Sequence, residues 1–407
     1  MAILQKMHIL FLTLAYPLSG SNIYTDIVDE LVNQGHFVTI CVQDETRSSG
    51  PFFVSYRKNI CIFSIPTGKI TKTSILTKGV NTLLIEHRFQ RIFSQFQFKY
   101  VDVLLYSTPP ITFQKIIVWL KKRYGCINYL LLKDIFPQNA IDLGMIKNNG
   151  ILHRFFRIKE KKLYLFSDII GCMSPVNVKY LLEKNHELAA EKVKITPNCK
   201  LPTNEGKRSN KKNVLEAHNI PHNAMLLVYG GNIGKPQGVE FIIECIDLIK
   251  NYDSVFFTII GNGTEFNRLK KIGSSFSNVK VIDTLPTETY RELLACMDIG
   301  LVFLDNKFSI PNFPSRILDY MNYSLPIIAC TDIACDVKQE ICDEGAGFWC
   351  KSDNVEGFKE ILEFIINNQE ILVTMGKKSR ELFIEKYSVQ NVVKDMLREI
   401  IFIKDKR

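Results

Sequence analysis

Residues 312–330, NFPSRILDYMNYSLPIIAC, read as loop, short helix, turn and buried strand. Pro311 and Pro314 keep the entry out of helix. Ser315 stands where an N-cap is expected, and a helix start presents unpaired N–H groups and the positive end of the helix dipole. Arg316 adds a full positive charge one residue on, and Asp319 follows one turn after Ser315. A helix start with a cation beside it is an anion site, with phosphate the usual anion. A carboxylate one turn further suits the paired hydroxyls of a ribose. The stretch points to a nucleoside diphosphate, but a Ser-capped helix bearing Arg and Asp is also a common surface element. The reading therefore depends on a second element of the same kind.

Residues 225–238 contain it. A strand over 225–229 runs into Gly230-Gly231-Asn232-Ile233-Gly234-Lys235-Pro236-Gln237-Gly238, and a helix is predicted over 239–250. Glycines let the backbone approach a phosphate, Lys235 supplies charge, and the helix points its positive end at the turn. No G-K-[ST] follows, so this is not a Walker A loop. Around these two elements the chain alternates strand, Gly turn and helix: 256–260 with Gly261 and Gly263, then 279–282, 287–296 and 299–304.

The first half alternates in the same way. An apolar strand over 7–15 leads into the turn 19–22, whose one glycine, Gly20, permits close backbone approach but falls short of the dinucleotide fingerprint. A helix with Ile23, Ile27, Val28, Leu31 and Val32 on one face and a strand over 37–42 complete a βαβ unit. Strands follow at 101–106, 129–132, 169–173 and before Thr196-Pro197-Asn198. Asp134 stands just past the carboxyl end of one of them, where ligands bind in open α/β sheets. The polar stretch 199–213 reads as a linker, and a last helix from Ser388 carries Val389, Val392, Val393, Met396, Leu397 and Ile400 on one face.

Length and charge narrow the class. At 407 residues, 46% hydrophobic and 23% charged, the chain is globular and too long for one core. The apolar start, followed at once by Pro17 and Gly20, reads as a first buried strand and not as a signal peptide. No apolar run approaches the roughly 20 residues that span a bilayer. Eleven cysteines without a C-x-x-C pair support neither zinc nor a disulfide framework and fit a reducing cytoplasm. Residues 1–200 hold 26 Lys and Arg against 14 Asp and Glu, a net +12 in a chain whose total is +9. Two basic, aromatic segments contribute, 69–99 and 153–166. Each is either a core-facing helix with a solvated basic side or a contact for an anionic membrane surface.

These motifs together resemble the GT-B glycosyltransferases of the family 4 type, which build bacterial capsule, exopolysaccharide and O-antigen. The resemblance runs over nearly the whole chain. VYGGNIGKPQGVEFIIECI resembles that family's G-N-x-G turn, FTIIGNGTEFNRL its G-x-G-x-E segment, and KVIDTLPTETYRELLACMDIGLV its base-side strand. PSRILDYMNYSLPII resembles P-S-K-x-x-E-Y-M-x-x-G-x-P. LKDIFPQNAIDLG resembles a segment of the members that transfer N-acetylated amino and deoxyamino sugars. Departures are Arg316 for Lys, Asp319 for Glu, Pro311 at the position of a second carboxylate, Ser324 for Gly, and Cys199-Lys200 after the hinge Pro-Asn.

The resemblance implies an α/β chain of two Rossmann-like domains facing across a cleft. These are 1–198 on the acceptor side and 214–387 for the nucleotide sugar, with 199–213 as linker and 388–407 crossing back as a helix. It implies Asp134, Lys235 and Arg316 as catalytic residues. Gly20, Gly231, Asn232, Gly234, Gly263, Leu285, Ser315 and Asp319 are implied as donor-binding. It implies a retaining transfer from a UDP-sugar without metal or cofactor. The expected partners are a lipid-linked saccharide acceptor and the anionic inner face of the plasma membrane, and no nucleic acid. Two other readings stay open: a GT-B sugar-nucleotide epimerase, and a relative that binds sugar nucleotides without turnover.

Overall fold

The computed structural model describes all residues except 1–5, 15, 18–19, 21, 71–74 and 204–210. It has two compact units, Met1–Asn198 with Val389–Arg407, and Cys199–Ser388.

Unit 1 is built on an eight-stranded sheet. Its strands are β1 His8–Thr13, β2 Phe37–Asp44, β3 Phe53–Arg57, β4 Ile60–Pro66, β5 Val103–Ser107, β6 Ile127–Leu132, β7 Ile169–Cys172 and β8 Val193–Ile195. Their order is β3-β4-β2-β1-β5-β6-β7-β8, parallel throughout except for the β3–β4 hairpin. β1 and β5 are buried along their whole length, as strands covered on both faces must be. The helices are α1 Ile23–Asn33, α2 Ile75–Gln95, α3 Gln114–Tyr124, α4 Gln138–Asp142, α5 Ile151–Phe166 and α6 Pro175–Lys184.

Local chemistry explains the helix ends. Asn22 caps α1 by accepting from the Tyr24 and Thr25 amides at 2.9 and 3.0 Å, and the Thr25 hydroxyl accepts the Asn22 N–H at 2.8 Å. Ser174 caps α6 with Pro175 at the first helical position. Gly125 closes α3 at φ 64°. Glu86, the one acid of the basic segment 69–99, is not on a solvated face: it is buried and accepts the Lys115 amide at 2.5 Å at the start of α3.

Unit 2 has a six-stranded sheet, all parallel. The strands are β9 Met225–Gly230, β10 Val255–Ile260, β11 Val279–Ile282, β12 Ile299–Phe303, β13 Ile327–Thr331 and β14 Gly347–Lys351, ordered β11-β10-β9-β12-β13-β14. Its helices are α7 Lys211–Ala217, α8 Val239–Ile249, α9 Phe266–Gly273, α10 Thr287–Leu294, α11 Arg316–Asn322, α12 Val337–Cys342, α13 Val355–Asn367 and α14 Ile371–Leu382. The stretch read as a linker divides. Residues 199–203 are fixed to α11 and α14, 204–210 lie outside the described residues, and Lys211 already opens α7.

The last helix, α15 Val389–Asp405, returns to unit 1 and packs on α1 and β6. All six apolar residues expected on its inner face are buried. Lys194 pairs with Glu399 at 3.5 Å, and Arg407 with Asp168 at 2.9 Å.

Candidate active site

Each sheet reverses its strand order once: between β1 and β5 in unit 1, and between β9 and β12 in unit 2. Ligands of open α/β sheets bind beyond the carboxyl ends of the strands at such a point. In unit 2 the loop leaving β9 is the glycine turn, and the segment after β12 leads to α11.

The β9 turn is held from three sides. The Tyr229 hydroxyl donates to the Asn232 carbonyl at 2.6 Å. Gln237 Oε1 accepts from the Asn232 amide at 2.8 Å and from the Gly234 N–H at 3.1 Å. The Ile233 N–H donates to the Asn262 carbonyl at 2.9 Å, joining the turn to the one after β10. The two turns touch so closely that a Cβ on Gly261 would lie 1.8 Å from the Gly231 oxygen, and one on Gly263 would lie 2.2 Å from the Ile233 oxygen. Gly263, expected as a donor contact, is thus required by loop packing. Gly231, at φ 133°, has a conformation L side chains rarely adopt.

α11 brings its cation to this turn. The Arg316 guanidinium lies 4.3 Å from the Tyr229 ring centroid, and its carbon sits 3.2 Å from where a Cβ on Gly231 would be. Its Nη1 is buried and has no hydrogen-bond partner among the described residues. Beneath it, the Tyr320 hydroxyl accepts the Gly230 N–H at 2.9 Å. Lys235 and Asn232 are exposed on the same turn, and Gly234 is buried under it. The two elements expected to share one anion site are in fact neighbours.

One expectation is corrected in detail, and a second residue has a partner the sequence did not show. Ser315 does not cap α11: its backbone is already helical (φ −62°, ψ −19°), so its hydroxyl makes no capping bond. The Ile317 N–H bonds the Pro314 carbonyl at 3.2 Å instead. Asp319 is not a free carboxylate, because Lys200 forms an ion pair with its Oδ1. No sequence signal could have joined two residues 119 positions apart. Leu285 is half-buried in the loop after β11, beyond β10 from the switch point.

In unit 1, Asp134 follows β6 as expected. The Thr108 hydroxyl, at the end of β5, accepts from the Lys133 and Asp134 amides at 3.0 and 3.2 Å and so fixes the loop. Burial pushes the Asp134 carboxyl up to about 6, against hydrogen bonds from the Ile135 amide and from Asn139, the latter at 2.5 Å. A carboxyl at that position and value can accept a proton near neutral pH. Gly20 lies after β1 with φ 87°, and the turn 19–22 is described only at Gly20 and Asn22. At the start of α1 the Tyr24 and Thr25 amides are taken by Asn22.

Two Rossmann-like units built on parallel sheets are the architecture of the GT-B fold. Solved structures share it along nearly the whole chain. A sucrose-phosphate synthase from Thermosynechococcus elongatus matches with TM-score 0.77 at 12% identity, over 99% of this chain and 100% of that one. WaaG, a glycosyltransferase involved in lipopolysaccharide biosynthesis, matches with TM-score 0.67 at 12% identity, over 96% and 99%. In sequence, the probable glycosyltransferase WbjE of Pseudomonas aeruginosa is 24% identical over 304 residues, 70% of this chain and 71% of that protein. Residues 210–382, which lie within unit 2, match the family described as Glycosyl transferases group 1. The chain is a glycosyltransferase.

Proposed function

We propose that the protein moves a sugar from a UDP-sugar to a lipid-linked saccharide acceptor in the synthesis of a cell-surface polysaccharide. The observation that carries this is the Arg316 guanidinium: buried, unpartnered at Nη1 and set against the Gly231 turn. A cation in that state lacks an anion with hydrogen-bond acceptors, and a diphosphate supplies one. Arg316 and Lys235 meet the charge that grows on the leaving diphosphate, the part a metal plays in other transferases. Asp319 takes the ribose hydroxyls, and Asp134 faces the acceptor hydroxyl as its proton acceptor. The anomeric configuration is retained, and the sugar is an N-acetylated hexosamine or deoxyhexosamine.

Membrane contact belongs to the same reading. No helix among the described residues is long and apolar enough to cross a bilayer. Unit 1 carries 30 Lys and Arg against 17 Asp and Glu, whereas unit 2 carries 21 against 25. α5 exposes Ile151, Leu152, Phe155, Ile158 and Leu165, and Arg154, Lys159 and Lys162 beside them have no ion-pair partner among the described residues. An apolar stripe edged by cations, of which Lys159 lies 5.7 Å from the Phe155 ring centroid, suits an anionic lipid surface.

The test is transfer of radiolabel from UDP-sugars to a lipid extract. Labelled lipid is expected. Isomerised free nucleotide sugar would identify an epimerase, and binding without turnover a non-catalytic protein.

A further inference from the structure

Asp319 and Arg316 are three residues apart on α11, a spacing at which carboxylate and guanidinium can pair. They do not: Arg316 lies over Tyr229, and Asp319 Oδ1 is held by Lys200. The backbone around Lys200 is fixed. Its N–H donates to the Tyr387 carbonyl at 3.1 Å, and the Asn322 side chain donates to the Leu201 carbonyl at 2.9 Å. The Thr203 amide donates to Asn322 Oδ1 at 3.0 Å, and Arg380 donates to the Thr203 carbonyl at 2.6 Å. Both members of the pair are three-quarters buried, at 24% side-chain exposure each. Asp319 Oδ2 accepts no hydrogen bond among the described residues, and Lys200 has no second ion pair there.

Two other carboxylates at neighbouring strand ends are spent on their own backbone. Asp305 accepts the Lys307 amide at 2.9 Å, and Asp332, 1% exposed, accepts the Ala334 and Cys335 amides at 2.8 and 3.0 Å. A carboxylate alone can only accept, so it uses a hydroxyl's proton and leaves the hydroxyl oxygen unserved. An ammonium has three donors, of which Asp319 takes one. Carboxylate and ammonium side by side therefore offer an acceptor and a donor to each hydroxyl of a vicinal diol.

We infer that Lys200 is a specificity residue of the donor site, forming with Asp319 a clamp for the cis-diol of the donor's ribose. The inference rests on the donor reading above. Lys200 orients the carboxylate, keeps it from closing on Arg316, and donates to a ribose hydroxyl that Asp319 accepts from.

The test is calorimetry of full-length protein with UDP and with 2′-deoxy-UDP, on wild type, Lys200→Met, Lys200→Arg and Lys235→Ala. Wild type should prefer UDP by roughly tenfold or more, the scale of a hydrogen bond to a charged group. Lys200→Met should bring that ratio close to one while still binding, and Lys200→Arg should restore most of it. Lys235→Ala should weaken both ligands equally and leave the ratio standing. A ratio unchanged in Lys200→Met, or raised because Lys200 had only masked Asp319, overturns the inference and leaves the donor reading intact. Wild type binding neither ligand overturns the donor reading, and the clamp with it.

Discussion

The two units share an architecture and put their charge in different places. In unit 2 a buried guanidinium stands at the strand-order reversal, with Gly231 beside it and two further cations, Lys235 and Lys200, on adjoining segments. Unit 1 has, at the corresponding strand ends, a network of neutral groups. The Ser107 hydroxyl donates to Thr13 at 3.2 Å, and Thr108 holds the backbone of Asp134. Unit 1 as a whole is net positive, with 30 Lys and Arg against 17 Asp and Glu, whereas unit 2 is net negative with 21 against 25. One sheet topology thus carries a unit with few cations gathered at its strand ends and a unit with many spread over it. The comparison makes different residues responsible for turnover and for location, which experiment can separate.

The largest effect is expected from Arg316. Arg316→Ala removes a charge-assisted contact that strengthens as the leaving group gains charge, so kcat should fall by roughly 10²-fold or more. Lys235→Ala should act in the same direction. Wild-type kcat in both would erase the distinction between the units.

Asp134 would make unit 1 a party to the chemistry. As a base its working form is the anion, and burial holds its pKa at about 6. The rate should therefore fall as pH drops below about 6, where the carboxyl is protonated. Asp134→Asn should lower kcat/KM by roughly 10²-fold, the low end for general base catalysis, and lose that acid limb. The same shift has a sign for stability. The folded state holds this proton up to about 6 and the unfolded chain only to about 3.8, so the group's contribution declines as pH rises through that window. An acid limb that persists in Asp134→Asn would return unit 1 to a binding role.

Asp319→Asn should weaken UDP binding by about 1–3 kcal/mol with a smaller effect on kcat, because the ribose is held alike in ground and transition states. Unchanged affinity in calorimetry would detach Asp319 from the nucleotide.

How much of this was legible follows the physics of each signal. The α15 face was readable from its period, and the parallel strands β1, β5, β9, β10 and β13 were readable because burial on both faces leaves unbroken apolar runs. β3 was not: all five of its residues are exposed, so FVSYR has no buried period to detect. The glycine turn and Arg316 were readable as two elements of one kind, since residue type alone carries charge and permissive backbone, and the structure sets them side by side. The failed Ser315 cap turns on a backbone angle, and the Lys200–Asp319 pair on tertiary contact, and neither is encoded in local sequence.

The smallest expected effect sharpens the comparison within unit 1, between two helices that look alike in sequence. α2 turns Ile85, Phe89 and Phe93 into the core, and Arg88 is spent on the Thr67 carbonyl. Lys72 and the side chains of Leu76, Lys78, Val80, Leu83 and Ile92 lie outside the described residues. α5 buries Leu163 and Tyr164 but leaves an apolar stripe outside: Ile151 is 87% exposed, and Lys162, one turn from exposed Ile158, has no ion pair among the described residues. An exposed apolar stripe costs nothing when it enters the headgroup region, and each nearby cation adds about 1 kcal/mol on an anionic leaflet. Lys162→Gln should therefore weaken sedimentation with anionic vesicles by roughly fivefold, whereas Arg91→Gln on α2 should change it little. The difference should shrink in high salt, because exposed charges are screened beyond roughly 8 Å already at physiological ionic strength. Transfer to a water-soluble acceptor should be unaffected in either variant, since both residues are exposed on helices. Equal losses from both would mean that unit 1 binds by diffuse charge and that the apolar stripe of α5 serves another partner.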